Sequence, residues 1–216
     1  MGKSKPGGYT LIELMVVCAI IALVTAMVMP SMRDSLVRNR LREAGFSIVG
    51  AVFEARSRAT RTGNCHRVRI SLSNSVDQGG TGGLVELQEI SSKTCLTPCQ
   101  SAAAGTVIQL FAIGDSDGTN DGTANVNDSV GNPHSVPTAG QDVALRAFYS
   151  EAGAELQGQG TNLDLYFEST GGMRIGGACE FGQGFVRVQP DLGPPRYVFL
   201  SAGGAVRYTD CPACPH

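Results

Sequence analysis

The chain reads as an α+β protein: one long N-terminal α-helix, its first half membrane-spanning, packed on a C-terminal head of antiparallel β-sheet. Three observations predict this. An uncharged, mainly apolar run from Leu14 to Met29 follows a short basic start. An apolar stripe of helical period then continues to Thr62. From Cys65 onward, short alternating runs separated by glycine-rich turns replace it. Composition agrees: 28 glycines in 216 residues favour a turn-rich body, and 42% hydrophobic residues exclude a wholly disordered chain. The length suits one domain with an appendage.

The elements follow in order. Residues 1–8 form a leader that carries Lys3 and Lys5 and ends at Gly8. Tyr9 to Met29 spans about 21 residues, which at ~1.5 Å per residue just crosses a bilayer core. Because both lysines precede it, the leader is expected to stay cytoplasmic and the rest to be exported. An ordinary secretory signal fits poorly, since the run is long, lacks a small-x-small cleavage site after it, and holds Glu13 at its start. A carboxylate at membrane depth costs a few kcal/mol, so Glu13 either snorkels to the headgroups or has a partner.

Past Pro30 the helix is expected to continue. Val37, Leu41, Ala44, Ile48, Val52, Ala55 and Ala59 make one stripe on a 3.6-residue period. Arg38, Arg42 and Arg56 flank one side of it, Arg40 and Arg58 the other. Thr62-Gly63-Asn64 is a stop signal, with Gly63 suited to a left-handed cap. The helix is thus assigned to 9–62, roughly 80 Å long, with some bending near Pro30. The head is assigned to 63–216. Its strand candidates include Val68–Leu72, Gly83–Ile90, Thr106–Ile113, Asp142–Tyr149, Asn162–Phe167, Gly184–Val188, Tyr197–Ser201 and Ala205–Tyr208. Charge divides the same way. Nine of the fourteen arginines lie between Arg33 and Arg69, whereas fifteen acids face six bases from residue 70 on. A basic neck and an acidic head suit subunit contacts, with a polyanion site as the alternative.

Seven cysteines are present. Cys18 lies in the apolar helix and is expected to act as a small apolar residue. Cys65, Cys95, Cys99, Cys179, Cys211 and Cys214 lie in the exported head, where an even count implies disulfides of open connectivity. A zinc site from Cys95, Cys99, Cys211 and Cys214, with His216 nearby, is an alternative. Cys211-Pro-Ala-Cys214 also mimics a thiol-redox motif, though not at a helix start. The stretch 114–128 offers Asp115, Asp117, Asn120 and Asp121 as hard oxygen ligands for calcium, but lacks the glycine and final glutamate of an EF-hand, so a surface loop is expected. His66, His134 and His216 are scattered, with His66 expected to be exposed. No nucleophile elbow or phosphate loop occurs, so no enzyme activity and no cofactor are expected.

Two sets of residues carry a resemblance. Gly8-Tyr9-Thr10-Leu11-Ile12-Glu13, between a basic leader and an apolar run, resembles the type IV prepilin signature. That resemblance implies cleavage after Gly8 by a prepilin peptidase and methylation of the new amine of Tyr9. It implies that Glu13 pairs with the N-terminal amine of a neighbouring subunit, and that Pro30 is the helix-kinking proline of a pilin fold. Tyr9 departs from the usual Phe or Met. Arg56–Asn64 leading into Val68-Arg69-Ile70, then Phe167–Gly172 and Tyr197–Arg207, resemble the GspH/FimT group of minor pilins and pseudopilins. Residues 73–160 carry no resemblance.

The group implies a minor pilin that initiates or caps a type IV pilus. Its partners would be other minor and major pilins, the inner-membrane assembly platform and, before assembly, inner-membrane lipid. It would be a single-pass protein of the bacterial inner membrane with a periplasmic head, later part of a pilus or pseudopilus. An H-type pseudopilin of a type II secretion system is one alternative. A DNA-binding receptor at the pilus tip is another, because some members bind DNA through a Gly-Arg-x-Arg element. The matching stretch here, Gly204-Ala205-Val206-Arg207, keeps Arg207 and has Ala205 at the first arginine, which weakens phosphate binding.

Overall fold

The computed structural model describes residues 9–71, 83–96, 99, 105–114, 123–127, 131–139, 143–150, 162–176, 184–190, 194–201, 203 and 205–209. The chain divides into two compact units, Met1–Arg38 and Asn39–His216, and the helix α1 (Leu11–Thr62) contributes to both.

In the first unit the start of α1 is set by Thr10. Its Oγ1 accepts the Glu13 N–H at 3.3 Å, and its carbonyl accepts the Leu14 N–H at 3.3 Å. Thr10-x-x-Glu13 is therefore a capping-box sequence with its Thr half formed. From Leu11 to Ala26 every side chain is exposed, Leu11, Ile12, Ile20 and Leu23 among them. Thr25 breaks the apolar run without leaving a polar group unmet, because its hydroxyl donates back to the carbonyls of Ile21 and Ala22.

The second unit opens with the rest of α1, where the period changes the outcome. Leu41, Ala44, Ile48, Ala51, Val52, Ala55 and Ala59 are buried, while Phe46, Gly50 and Phe53 on the opposite side are exposed. The helix stops at Gly63, whose φ is 73° and whose N–H reaches the Ala59 carbonyl at 3.0 Å, as a left-handed cap requires.

Eleven strands follow among the described residues: β1 Cys65–Ser71, β2 Gly83–Ile90, β3 Thr106–Ile113, β4 Thr123–Asn127, β5 Pro133–Ala139, β6 Val143–Ser150, β7 Asn162–Phe167, β8 Met173–Ile175, β9 Gly184–Pro190, β10 Arg196–Leu200 and β11 Val206–Thr209. They form a seven-stranded sheet in the order β4-β5-β3-β2-β1-β7-β8 and a four-stranded sheet in the order β11-β10-β9-β6. Pairing is antiparallel except between β3 and β5, which meet in parallel at Ala112–Ile113 and Thr138–Ala139. The fold is α+β, a long helix packed on antiparallel-rich sheet.

Register explains the core. Val68 faces Leu165 and Leu87, and Ile70 faces Leu163 and Val85, so one face of the large sheet is continuously apolar and buried. Each such side chain contributes about 1.5–3 kcal/mol when fully buried. A second cluster, Leu84, Ala112, Ala124, Val126 and Val136, seals β4 and β5 against β2 and β3 on the other face.

The structure corrects several expectations. Strands β4, β5 and β8 were not foreseen. β4 lies inside the stretch 114–128 assigned to a loop, where its asparagines hide an alternation of buried Ala124 and Val126. β5 contains Pro133 and Pro137, which a strand tolerates because β3 pairs only with its far end. β8 is three residues long, too short for a periodic signal. His66 is fully buried on β1 rather than exposed, because Phe167 and Glu89 flank it in the sheet. Leu72 lies outside the described residues.

Candidate functional site

The residues singled out for assembly stand on the first turns of α1. Tyr9 is 85% exposed, and Glu13 is the one acid of the first turn, where a carboxylate is favoured by the partial positive charge of the helix start. Gly8 lies outside the described residues. Pro30 lies within α1, which continues through it, and its side chain is not described. Among the described residues no helix is long and apolar enough to cross a membrane.

The head's cysteines resolve in part. Cys65, the first residue of β1, is disulfide-bonded to Cys95 in the segment after β2. Cys99 is disulfide-bonded too, and its Sγ lies 3.9 Å from the Ile175 carbonyl oxygen. With Ile90 and Tyr166 these three cysteines form a buried cluster. The four-cysteine zinc alternative is thereby overturned, because Cys95 is consumed by Cys65. Cys179, Cys211, Cys214 and His216 lie outside the described residues. Cys18 is a free, exposed thiol.

Of the calcium candidates, Asp115, Asp117, Asn120 and Asp121 lie outside the described residues. Among the described residues no group of three His, Cys, Asp or Glu side chains is placed to hold a metal ion. Arg207 lies on β11, at the end of the four-stranded sheet, where it faces Phe199 across the ladder and is exposed. Its neighbour Tyr208 points the other way. The ring lies over Gly45 of α1, where a built Cβ would sit 2.4 Å from it, and 5.8 Å from the ring of Phe46. Burial raises the Tyr208 phenol above its ordinary pKa, while Arg196 and Arg42 pull it back.

Sequence reasoning missed a polar layer inside the head. Arg67, Glu86 and Gln88 are buried on the face of the large sheet opposite Val68 and Leu87. Arg67 donates to Gln88 Oε1 through both Nε and Nη2, and its guanidinium carbon lies 5.8 Å from the Tyr166 ring centroid. Gln88 Nε2 donates to Glu86 at 2.6 Å. Next to it Arg69 grips Asp164 with two hydrogen bonds, at 2.7 and 2.8 Å. That bond, opposed by burial, raises the Arg69 guanidinium above its ordinary pKa. The available signal was the alternation of Arg67 and Arg69 with Glu86 and Gln88 on paired strands. Such positions normally read as a solvated face. Here Arg67 donates to Gln88 and Gln88 in turn to Glu86 under cover, so these buried polar groups are satisfied within the sheet.

Residues 3–29 match the family model described as the prokaryotic N-terminal methylation motif. This N-terminal segment of the chain is type IV pilin-like. The matched stretch contains Gly8, Tyr9, the Thr10–Glu13 cap and the exposed apolar turns from Leu11. A crystal structure of the type IV minor pilin FimU from Pseudomonas aeruginosa (strain PAO1) aligns over 79% of this chain and 88% of its own, at 13% identity and a TM-score of 0.40. The α+β fold stands on the helix and strands described above. No curated protein matches the chain at a significant level.

Proposed function

We propose that this chain is a minor pilin that initiates or caps a type IV pilus and assembles through its N-terminal helix. The observation that carries the reading is the methylation motif over 3–29, whose part from Leu11 to Ala26 lies on a helix with its apolar turns exposed all round. A helix apolar on every side is stable only in lipid or against other apolar helices. Before assembly the segment 9–29 would sit in the inner membrane with the head in the periplasm, after cleavage between Gly8 and Tyr9 by a prepilin peptidase. Other minor and major pilins and the assembly platform would then receive it. Glu13 would pair with a neighbour's Tyr9 amine, a contact that offsets the cost of burying either charge. The H-type pseudopilin reading uses the same subunit physics in a different machine. DNA capture at the tip is favoured by one observation, the exposure of Arg207 on β11.

The capping box gives Glu13 a second possible role, so the test needs two variants. Glu13→Val removes both charge and cap, and mature subunit should accumulate in the inner membrane, with incorporation into sheared filaments falling more than about tenfold. Glu13→Gln keeps a capping side chain and removes the charge. If charge pairing drives docking, it should assemble as poorly as the valine variant. Wild-type incorporation of the glutamine variant would reduce Glu13 to a helix cap.

A further inference from the structure

We propose that the groove between Glu43–Glu54 of α1 and the outer edge of β3 receives an extended, lysine- or arginine-bearing segment of a neighbouring filament subunit. The proposal rests on the pilin-like reading for the neighbour and on the head's own geometry for the site. β3 pairs with β2 along its length, but on its other side, among the described residues, only Ala112 and Ile113 are paired. Among the described residues Thr106-Val-Ile-Gln-Leu110 thus presents an open strand edge of uncharged residues, in part exposed and free of proline. Such an edge is a template for strand addition and is normally blunted or covered. A bulge at Leu87/Gln88, opposite Ile108, blunts its first part. The remainder, Gln109–Phe111, forms one wall of a cavity of about 730 Å³.

The other walls indicate what fits. Pro137–Ala139 close the end where β5 takes over the pairing, so the incoming strand is short. Thr138 Oγ1 in that wall is buried and has no hydrogen-bond partner among the described residues. The helix side carries two carboxylates, Glu43 and Glu54, with Gly50 between them. Glu54 already holds Arg58 at 2.6 Å, whereas Glu43 is exposed and has no ion-pair partner among the described residues. A side chain built at Gly50 would meet nothing within 4 Å, so the groove is open above it. Strand edge below, carboxylates above and a closed end together select a short extended peptide with a cationic side chain directed at α1. The contact is small, and the high local concentration inside a filament is what makes it effective.

The test places a photo-crosslinking amino acid at Gly50 of the full-length chain in piliated cells, with adducts mapped by mass spectrometry on sheared filaments. The expected adduct lies on a single extended segment of another filament subunit, next to a lysine or arginine. Glu43→Lys should cut its yield at least fivefold, and reversing the mapped basic residue should restore it. An adduct on a helix, on nucleic acid or within the same chain would overturn the proposal, as would no adduct or a yield indifferent to Glu43→Lys. If the subunit is missing from sheared filaments altogether, the pilin-like reading fails and the proposal fails with it. Presence in filaments without the adduct defeats the groove alone.

Discussion

The two halves of α1 are one unbroken helix with opposite relations to their surroundings. Between Leu11 and Ala26 all side chains are exposed, though nearly all are apolar. Between Leu41 and Ala59 a narrow stripe of small and medium apolar residues is buried, and arginines occupy the flanks. Helix propensity does not explain the difference, since both halves are helical. Distribution does: apolar residues on every side demand a non-aqueous surround, whereas a stripe of period 3.6 demands one covering surface. The first half should therefore govern assembly and leave the head's stability untouched, and the second half should do the reverse.

That comparison breaks most easily with one matched pair of truncations. Ile48 is fully buried, so Ile48→Ala should destabilise the head by about 2–5 kcal/mol through lost transfer energy and a residual cavity. Ile20 is 58% exposed, and Ile20→Ala should leave the head's denaturation midpoint unchanged in detergent. Chemical denaturation followed by a head-specific signal checks both. A shift with Ile20→Ala comparable to that of Ile48→Ala would mean that the two halves are not energetically separate.

The disulfide sharpens the same contrast from the head's side. Cys65 and Cys95 are 30 residues apart, and closing a loop of that length stabilises by roughly 3–4 kcal/mol in the chain-entropy account. The Cys65→Ala, Cys95→Ala double variant should lose about that much in the head. Cys18→Ala, in the first half, should lose nothing measurable. Peptide mapping without reductant should also join Cys99 to Cys179, because the Cys99 sulfur already lies beside Ile175, four residues before Cys179. Recovery of Cys99 joined to Cys211 or Cys214 would refute that pairing.

What the sequence made legible follows the same physical division. The stripe, the Gly63 cap, β2 and β3 were readable because period and turn chemistry are local. Six of the seven stripe residues are buried, and Val37 is half-buried. The capping box at Thr10–Glu13 is equally local, a Thr-x-x-Glu string at the head of an apolar run. The buried pairing of Arg67 and Arg69 with Gln88 and Asp164 was not legible. It depends on β1 lying between β2 and β7, partners 21 and 95 residues away. His66 failed for a related reason: its burial is decided by flanking strands. The parallel contact of β5 with β3, on which the groove depends, has no local signal at all.

The smallest expected effect lies where the second half of α1 meets the C-terminal strand. Tyr208 rests its ring on Gly45 and near Phe46, and burial raises its phenol above the ordinary value, with Arg196 and Arg42 limiting the rise. The folded state therefore holds the phenolic proton more tightly than the unfolded state does. Stability from this source is fully present below the unfolded tyrosine pKa of about 10, and it is lost as pH rises through the higher folded value. Denaturation midpoints measured from pH 8 to 11 should fall for the wild type, and Tyr208→Phe should fall less steeply. The phenylalanine variant keeps the ring over Gly45, so the two proteins should nearly coincide at pH 8. Divergence should begin only as the unfolded phenol ionises. Parallel curves across the range would show that the ring's contact with α1 carries no titrating hydroxyl. A gap already present at pH 8 would instead assign the hydroxyl a packing or hydrogen-bonding role independent of its charge.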